Sequence, residues 1–328
     1  MSFFKNRKVE KNYDFFGACS WYTPGISGMF MILALFLAGM ALASVVCMPM
    51  VLGNVPKCYL LLVMYPLQFV PLLIYVKYKS SCNSTFDRGY ALDSNHFGKA
   101  GGAKTAVMAV IATFAMAMML ELINNYLPEM SDVMKEAMKG LTTGPLWVNL
   151  LCAAVFAPIL EEWMCRGVLL RGLLNHEMKG REPGRKMSPA LAIAISALFF
   201  ALIHGNLWQG ITAFIMGCLL GYVYYRTGSL KTTILMHCAN NALSVLLGHF
   251  GGEKIEEAKS IVELIPAWEY AIILIVSAAV MVLFIKSLNE IPLASQQGNS
   301  DVIPSADDLL MKEKAEKEAS VDQNILNN

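Results

Sequence analysis

Eight apolar stretches, near residues 28–51, 58–77, 102–123, 145–173, 188–205, 209–225, 231–248 and 267–286, dominate this sequence. A helical run of about 20 apolar residues crosses the hydrocarbon core of a bilayer, and inside that core every backbone polar group must be satisfied internally. The pattern therefore predicts an all-α fold, a polytopic membrane bundle of about eight transmembrane helices. Composition agrees, because 56% of the 328 residues are hydrophobic and only 16% are charged, which excludes an ordinary soluble domain. A net charge of +1, with its basic residues dispersed over short loops, excludes a nucleic-acid partner and leaves the lipid bilayer as the first one. The eight cysteines stand singly, never as C-x-x-C, and read as small buried hydrophobes rather than a disulfide frame or zinc knuckle. The first apolar run is too long for a signal-peptide core and reads as a retained anchor. Ser2 and the closing "NILNN" give no signal for myristoylation or prenylation.

Lysine and arginine placement orients the bundle. Lys5, Arg7, Lys8 and Lys11 precede the first stretch, and Lys79, Arg88 and Lys99 follow the second. Lys179, Arg181, Arg185 and Lys186, and then Arg226 and Lys231, fall in loops on that same side. By the positive-inside rule that side is cytoplasmic, and an even number of spans places both termini there. The chain divides into a cytoplasmic N-terminal tail (1–27), N-terminal membrane helices with an interfacial helix (28–143), and a membrane core (144–248). A loop with the last membrane helix (249–286) and a disordered, acid-rich cytoplasmic tail (287–328) complete it. Within 124–143, Met130, Val133, Met134 and Met138 recur at helical spacing in a segment too polar to span, which predicts a short interfacial helix. Gly217-x-x-x-Gly221 predicts a close helix–helix approach.

Against this apolar background a few polar groups stand out. A charged side chain at mid-bilayer costs roughly 2.5–3.5 kcal/mol on insertion scales, so each needs a partner or a task. They cluster in three stretches: Glu161, Glu162 and Arg166 in the fourth, His204 in the fifth, and His237, Asn240 and Asn241 in the seventh. Glu162 and Arg166 stand at i and i+4 and can pair, whereas Glu161 is turned about 100° away and has no such partner. Pro158, one turn earlier, removes a backbone hydrogen bond and opens polar backbone near the carboxylates. His237 and Asn241 also share a face at i and i+4, with Asn240 only slightly off it.

A carboxylate, two imidazoles and an amide can activate a water and stabilise the oxyanion formed when it attacks a peptide carbonyl. The same groups could hold zinc through Glu161, His204 and His237, although the H-E-x-x-H signature is absent. A non-proteolytic scaffold or a proton-coupled carrier would use a similar intramembrane cluster.

Three short motifs connect these residues: Glu161-Glu162-x-x-x-Arg166, Phe200-x-x-x-His204 and His237-x-x-x-Asn241. In that order they resemble the E-E-x-x-x-R, F-x-x-x-H and H-x-x-x-N motifs of the CPBP intramembrane proteases. This group, also called the Abi or CAAX-protease family, includes the eukaryotic endopeptidase that trims prenylated CAAX proteins. The resemblance spans about residues 144–248. It implies an intramembrane endopeptidase acting on membrane-associated peptides or proteins, with Glu161 as general base and His204 orienting the water. His237 and Asn241 would form the oxyanion hole, Glu162 and Arg166 would brace the fourth helix, and Phe200 would pack beside the site. The family has been described both as metalloprotease and as metal-independent glutamic protease, so zinc is the one cofactor in view, and the metal-free form is favoured. The compact, insertion-free build resembles prokaryotic members, which implies a multi-pass protein of the bacterial inner membrane. One geometric tension remains: with ~1.5 Å rise per residue, His237 lies about 10 Å into its helix while His204 lies near the far end of a straight fifth one.

Overall fold

The computed structural model describes residues 25–83, 92–94, 97–132, 134–135, 144–176, 186–251, 258 and 260–293. Helices form at all eight expected stretches. They are α1 (Ile26–Leu52), α2 (Lys57–Leu67) continued by α3 (Val70–Asn83), α4 (Gly102–Tyr126), a long segmented helix α5 (Leu146–Asn175), α6 (Pro189–Leu202), α7 (Leu207–Thr227), α8 (Leu230–Phe250) and α9 (Ala267–Asn289). No strand is present among the described residues, and six of these helical spans are long and apolar enough to cross a membrane. The protein is a multi-pass helical membrane bundle.

The two remaining helices depart from simple spans for visible reasons. α6 has only 14 residues, about 21 Å at 1.5 Å per residue, short of the hydrocarbon thickness. α8 is long enough at 21 residues but carries Lys231, two threonines, His237, Asn240 and Asn241 along its length. The second expected span is broken, since α2 stops at Leu67 and α3 starts at Val70. Pro71 supplies no N–H to the Leu67 carbonyl, so the helical ladder fails at Gln68–Phe69. Of the expected interfacial helix over 124–143, the structure describes residues 124–132 and 134–135, where α4 runs on to Tyr126 and helix resumes only at Asp132, Met134 and Lys135; residues 133 and 136–143 and the acidic tail from residue 294 lie outside the described residues.

α5 occupies the centre. Trp163, Met164, Cys165, Val168, Leu169, Leu170 and Leu173 along it are fully buried, in one core with Phe69 and Leu72 from α2–α3 and Phe199, Phe200 and Tyr224 from α6–α7. A second core joins α4, α7 and α9 through Ala112, Leu220, Val223 and Phe284. Small residues let α6 and α7 approach. A Cβ on Gly217 would stand 3.2 Å from the Ala197 Cα, and one on Gly221 would stand 3.0 Å from the Ile193 Cγ2, so the expected G-x-x-x-G face packs against α6. Arg226, in the last turn of α7, donates to the carbonyls of Leu288, Asn289 and Ile291 and caps the end of α9. The described cysteines are all free thiols, buried or partly buried, as their scatter in apolar runs implies.

Candidate active site

The central helix is irregular where the polar residues sit. α5 is α-helical over Ala157–Glu162 but π-helical over Leu150–Phe156 before it and Trp163–Leu170 after it. Such wide turns recur at functional sites because they release backbone groups and re-aim side chains. Their origin here is partly Pro158. In the π register the Ala157 N–H bonds the Cys152 carbonyl. The next N–H in that register, on residue 158, would serve Ala153, and proline has none. The orphaned Ala153 carbonyl instead accepts Nδ2 of Asn241 at 2.9 Å. Asn240 donates its own Nδ2 to Asn241 Oδ1 at 3.2 Å, so the amide is held at both ends and one N–H of Asn241 remains to be used. Asn241, not Asn240, is therefore the one clamped to α5.

The two adjacent glutamates have different surroundings. Glu162 is fully buried, accepts Nη1 of Arg166 at 2.8 Å and faces His237 Nδ1 at 3.0 Å, with both contacts on Oε1. Arg166 is itself fully buried, donates Nη2 to the Gly217 carbonyl at 3.0 Å and lies 4.7 Å from the centre of the Phe200 ring. The i, i+4 pair read from sequence is thus present, and it ties α5 to α6, α7 and α8. Glu161, 7% exposed, has no cationic Lys or Arg partner among the described residues. Its Oε1 accepts the hydroxyl of Tyr65 from α2, and its Oε2 lies 3.7 Å from His237 Nε2.

These contacts set the proton positions. A carboxylate already accepting from arginine is an acceptor, so His237 donates from Nδ1 to Glu162, and its Nε2 looks toward Glu161. A backbone carbonyl can only accept, so His204 donates from Nδ1 to Phe200 O at 2.7 Å and keeps Nε2 free.

The depth of His204 is explained by the short α6. The helix ends at Leu202, and His204 sits in the turn to α7 rather than at the far end of a full span. Gly205 takes φ +68° in that turn, a conformation glycine adopts without strain. Asn206 then caps α7 by accepting the Gln209 N–H at 2.9 Å and donates Nδ2 back to His204 O at 3.0 Å. Phe200 bridges the two imidazoles, standing T-shaped to His204 at 4.9 Å and to His237 at 5.4 Å between ring centres.

The structure thus gathers Glu161, Glu162, Arg166, Phe200 and His237 into direct contact, joins His204 through Phe200, and places Asn241 one turn along α8. Tyr65 was not legible from sequence, because a tyrosine in an apolar run is an ordinary core residue. A zinc set of Glu161, His204 and His237 is not assembled. Among the described residues no three His, Cys, Asp or Glu side chains converge as metal ligands.

Chemically, the cluster offers one carboxylate held as an acceptor, a free imidazole nitrogen, and an amide N–H, in a buried setting where such groups act strongly. Residues 143–243, which carry all of the cluster except Tyr65, match the family model of type II CAAX prenyl endopeptidases, Rce1-like. No curated protein and no solved structure matches the chain.

Proposed function

We propose, on the premise that the match of residues 143–243 to the type II CAAX prenyl endopeptidase model extends to activity, that this chain hydrolyses peptide bonds of membrane-associated peptides or proteins with Glu161 as the general base. The observation that carries this reading is the division between neighbouring carboxylates. Glu162 is locked to Arg166 and His237, while among the described residues Glu161 meets a hydroxyl and the edge of an imidazole. A base needs an oxygen free to take a proton, and Glu161 has one.

Water has two hydrogens to place. Glu161 Oε2 accepts one and His204 Nε2 accepts the other, which points an oxygen lone pair at the scissile carbonyl. As the C–O bond forms, the proton moves to Glu161 and the carbonyl becomes an oxyanion. The free N–H of Asn241, and His237 when it carries a proton on Nε2, donate to that oxygen. Collapse of the tetrahedral intermediate breaks the C–N bond, and the proton held by Glu161 passes to the departing amine. Glu162 and Arg166 take no proton in this scheme; they keep α5, α6, α7 and α8 in register.

Every step is carried by residues of the chain, and the metal-free glutamic form is the one proposed. The substrate is a peptide presented at or within the membrane, and a multi-pass location in a bacterial inner membrane accords with the compact chain. The test is cleavage of a membrane-peptide library by the purified protein in liposomes, with and without a strong zinc chelator. Cleavage that survives the chelator is expected. Loss with chelator that zinc restores would replace this chemistry by a metalloprotease. A proton-coupled carrier would instead show pH-driven flux in vesicles that survives Glu161→Gln.

A further inference from the structure

The contact between Tyr65 and Glu161 comes from outside the segment that resembles a known family. Tyr65 lies on α2, some 80 residues before residue 143, yet its hydroxyl donates to Glu161 Oε1. A phenol is a neutral donor, so it occupies one carboxylate oxygen without neutralising the base. Its partner oxygen, Oε2, is the one that faces His237.

The hydroxyl is placed by a rigid path. The break at Gln68–Phe69 follows Tyr65 by one turn, and α1 crosses it so closely that a Cβ on Gly39 would stand 1.8 Å from the Gln68 carbonyl oxygen. Only glycine allows that crossing. Three rings then run from α1 toward the site: Phe36 stands T-shaped to Phe69 at 5.3 Å, and Phe69 is tilted against Tyr65 at 5.8 Å. Phe69 is fully buried, so the path is packed rather than loose. Cys152 adds a link from α5 back to α2, its Sγ lying 3.7 Å from the Leu61 carbonyl.

From this geometry we infer that Tyr65 is a positioning residue for Glu161, and that the N-terminal helices α1 and α2 are part of the active site rather than an appended anchor. The inference rests on the reading of Glu161 as the base. Held at Oε1, the carboxylate cannot rotate to offer both oxygens to His237. Among the described residues, the groups that touch Glu161 are Tyr65 from α2 and His237 from α8.

The test compares wild type, Tyr65→Phe, Gly39→Val and Glu161→Gln, all as full-length protein in liposomes, on a peptide cleaved by the wild type. Tyr65→Phe keeps the ring and its packing. It is expected to lower kcat roughly tenfold or more, the scale of one charge-assisted hydrogen bond, with KM and thermal midpoint unchanged. Gly39→Val should lower kcat as well, with some loss of stability, because it displaces the break that carries Tyr65. Isotope-edited infrared spectroscopy gives a readout independent of turnover: the Glu161 carboxylate band, identified by its loss in Glu161→Gln, should shift in Tyr65→Phe. Wild-type kcat together with an unshifted band in Tyr65→Phe would overturn the inference. Full cleavage by Glu161→Gln would instead overturn the assignment of the base, while the infrared shift would still decide whether Tyr65 holds that carboxylate.

Discussion

The central helix and the last one solve opposite problems. In α5, 56% of the most apolar stretch is buried inside the protein, whereas in α9 the share is 22%. Yet α5 carries Glu161, Glu162, Arg166 and Arg171, all buried, while the span of α9 from Tyr270 to Ile285 has no charged residue. In a soluble protein the buried element is the apolar one. Here the surroundings are hydrocarbon, so the outer helix must be apolar and the inner helix is where polar groups find partners. Burial in this molecule therefore marks function and cohesion by polarity, and exposure marks lipid contact by its absence.

This contrast can be broken or sharpened by substitution, and the effects should fall in a set order. Arg166→Ala removes the cation from a fully buried pair and strands Glu162, whose exposure is 0%. A loss of roughly 3–5 kcal/mol is expected, read as unfolding in mixed micelles, together with loss of activity. Stability within experimental error of wild type would show that the pair does not brace the core. Glu161→Gln should lower kcat by about 10²- to 10⁴-fold, the range for a general base, while its unfolding curve stays close to that of the wild type. An equal stability loss in both variants would erase the division of labour between the two glutamates.

Gly217→Val tests the helix contact beneath Arg166. The new side chain would press on Ala197, and overpacking of about 1–3 kcal/mol is expected in the same unfolding assay. Ile275→Ala on α9 is the smallest change. Its side chain is 70% exposed, facing lipid, and an effect within about 0.5 kcal/mol is expected. A large loss there would mean that α9 has a partner surface rather than a lipid one.

Much of this arrangement is legible from the sequence, and the reason is the cost of polarity in lipid. Glu161, Glu162, Arg166, His204, His237 and Asn241 stand out because few other residues of their stretches are ionisable or strongly polar, chiefly Asn149 and Arg171 in the fourth and Lys231 and Asn240 in the seventh. The i, i+4 spacing identifies the Glu162–Arg166 pair, and the structure forms it at 2.8 Å. Pro158 announces a backbone defect, which the structure resolves as a π turn whose orphan carbonyl binds Asn241. Three features escape that logic. The second π segment, Trp163–Leu170, contains no proline to announce it. The end of α6 at Leu202 is hidden because the apolar run continues through Ile203, so His204 looks deeper along a straight helix than it lies. Tyr65 is hidden because its ring is as apolar as its neighbours, and its role lies in one hydroxyl that meets a residue 96 positions away.

The most direct test of the account exchanges the roles of the two glutamates. Glu161→Gln and Glu162→Gln, each reconstituted in liposomes, are assayed for peptide cleavage and for thermal midpoint side by side. Glu161→Gln is expected to keep its midpoint and lose cleavage, whereas Glu162→Gln lowers the midpoint because Arg166 is left buried without the carboxylate that balances its charge. Cleavage at the wild-type rate by Glu161→Gln, with loss confined to Glu162→Gln, would contradict it.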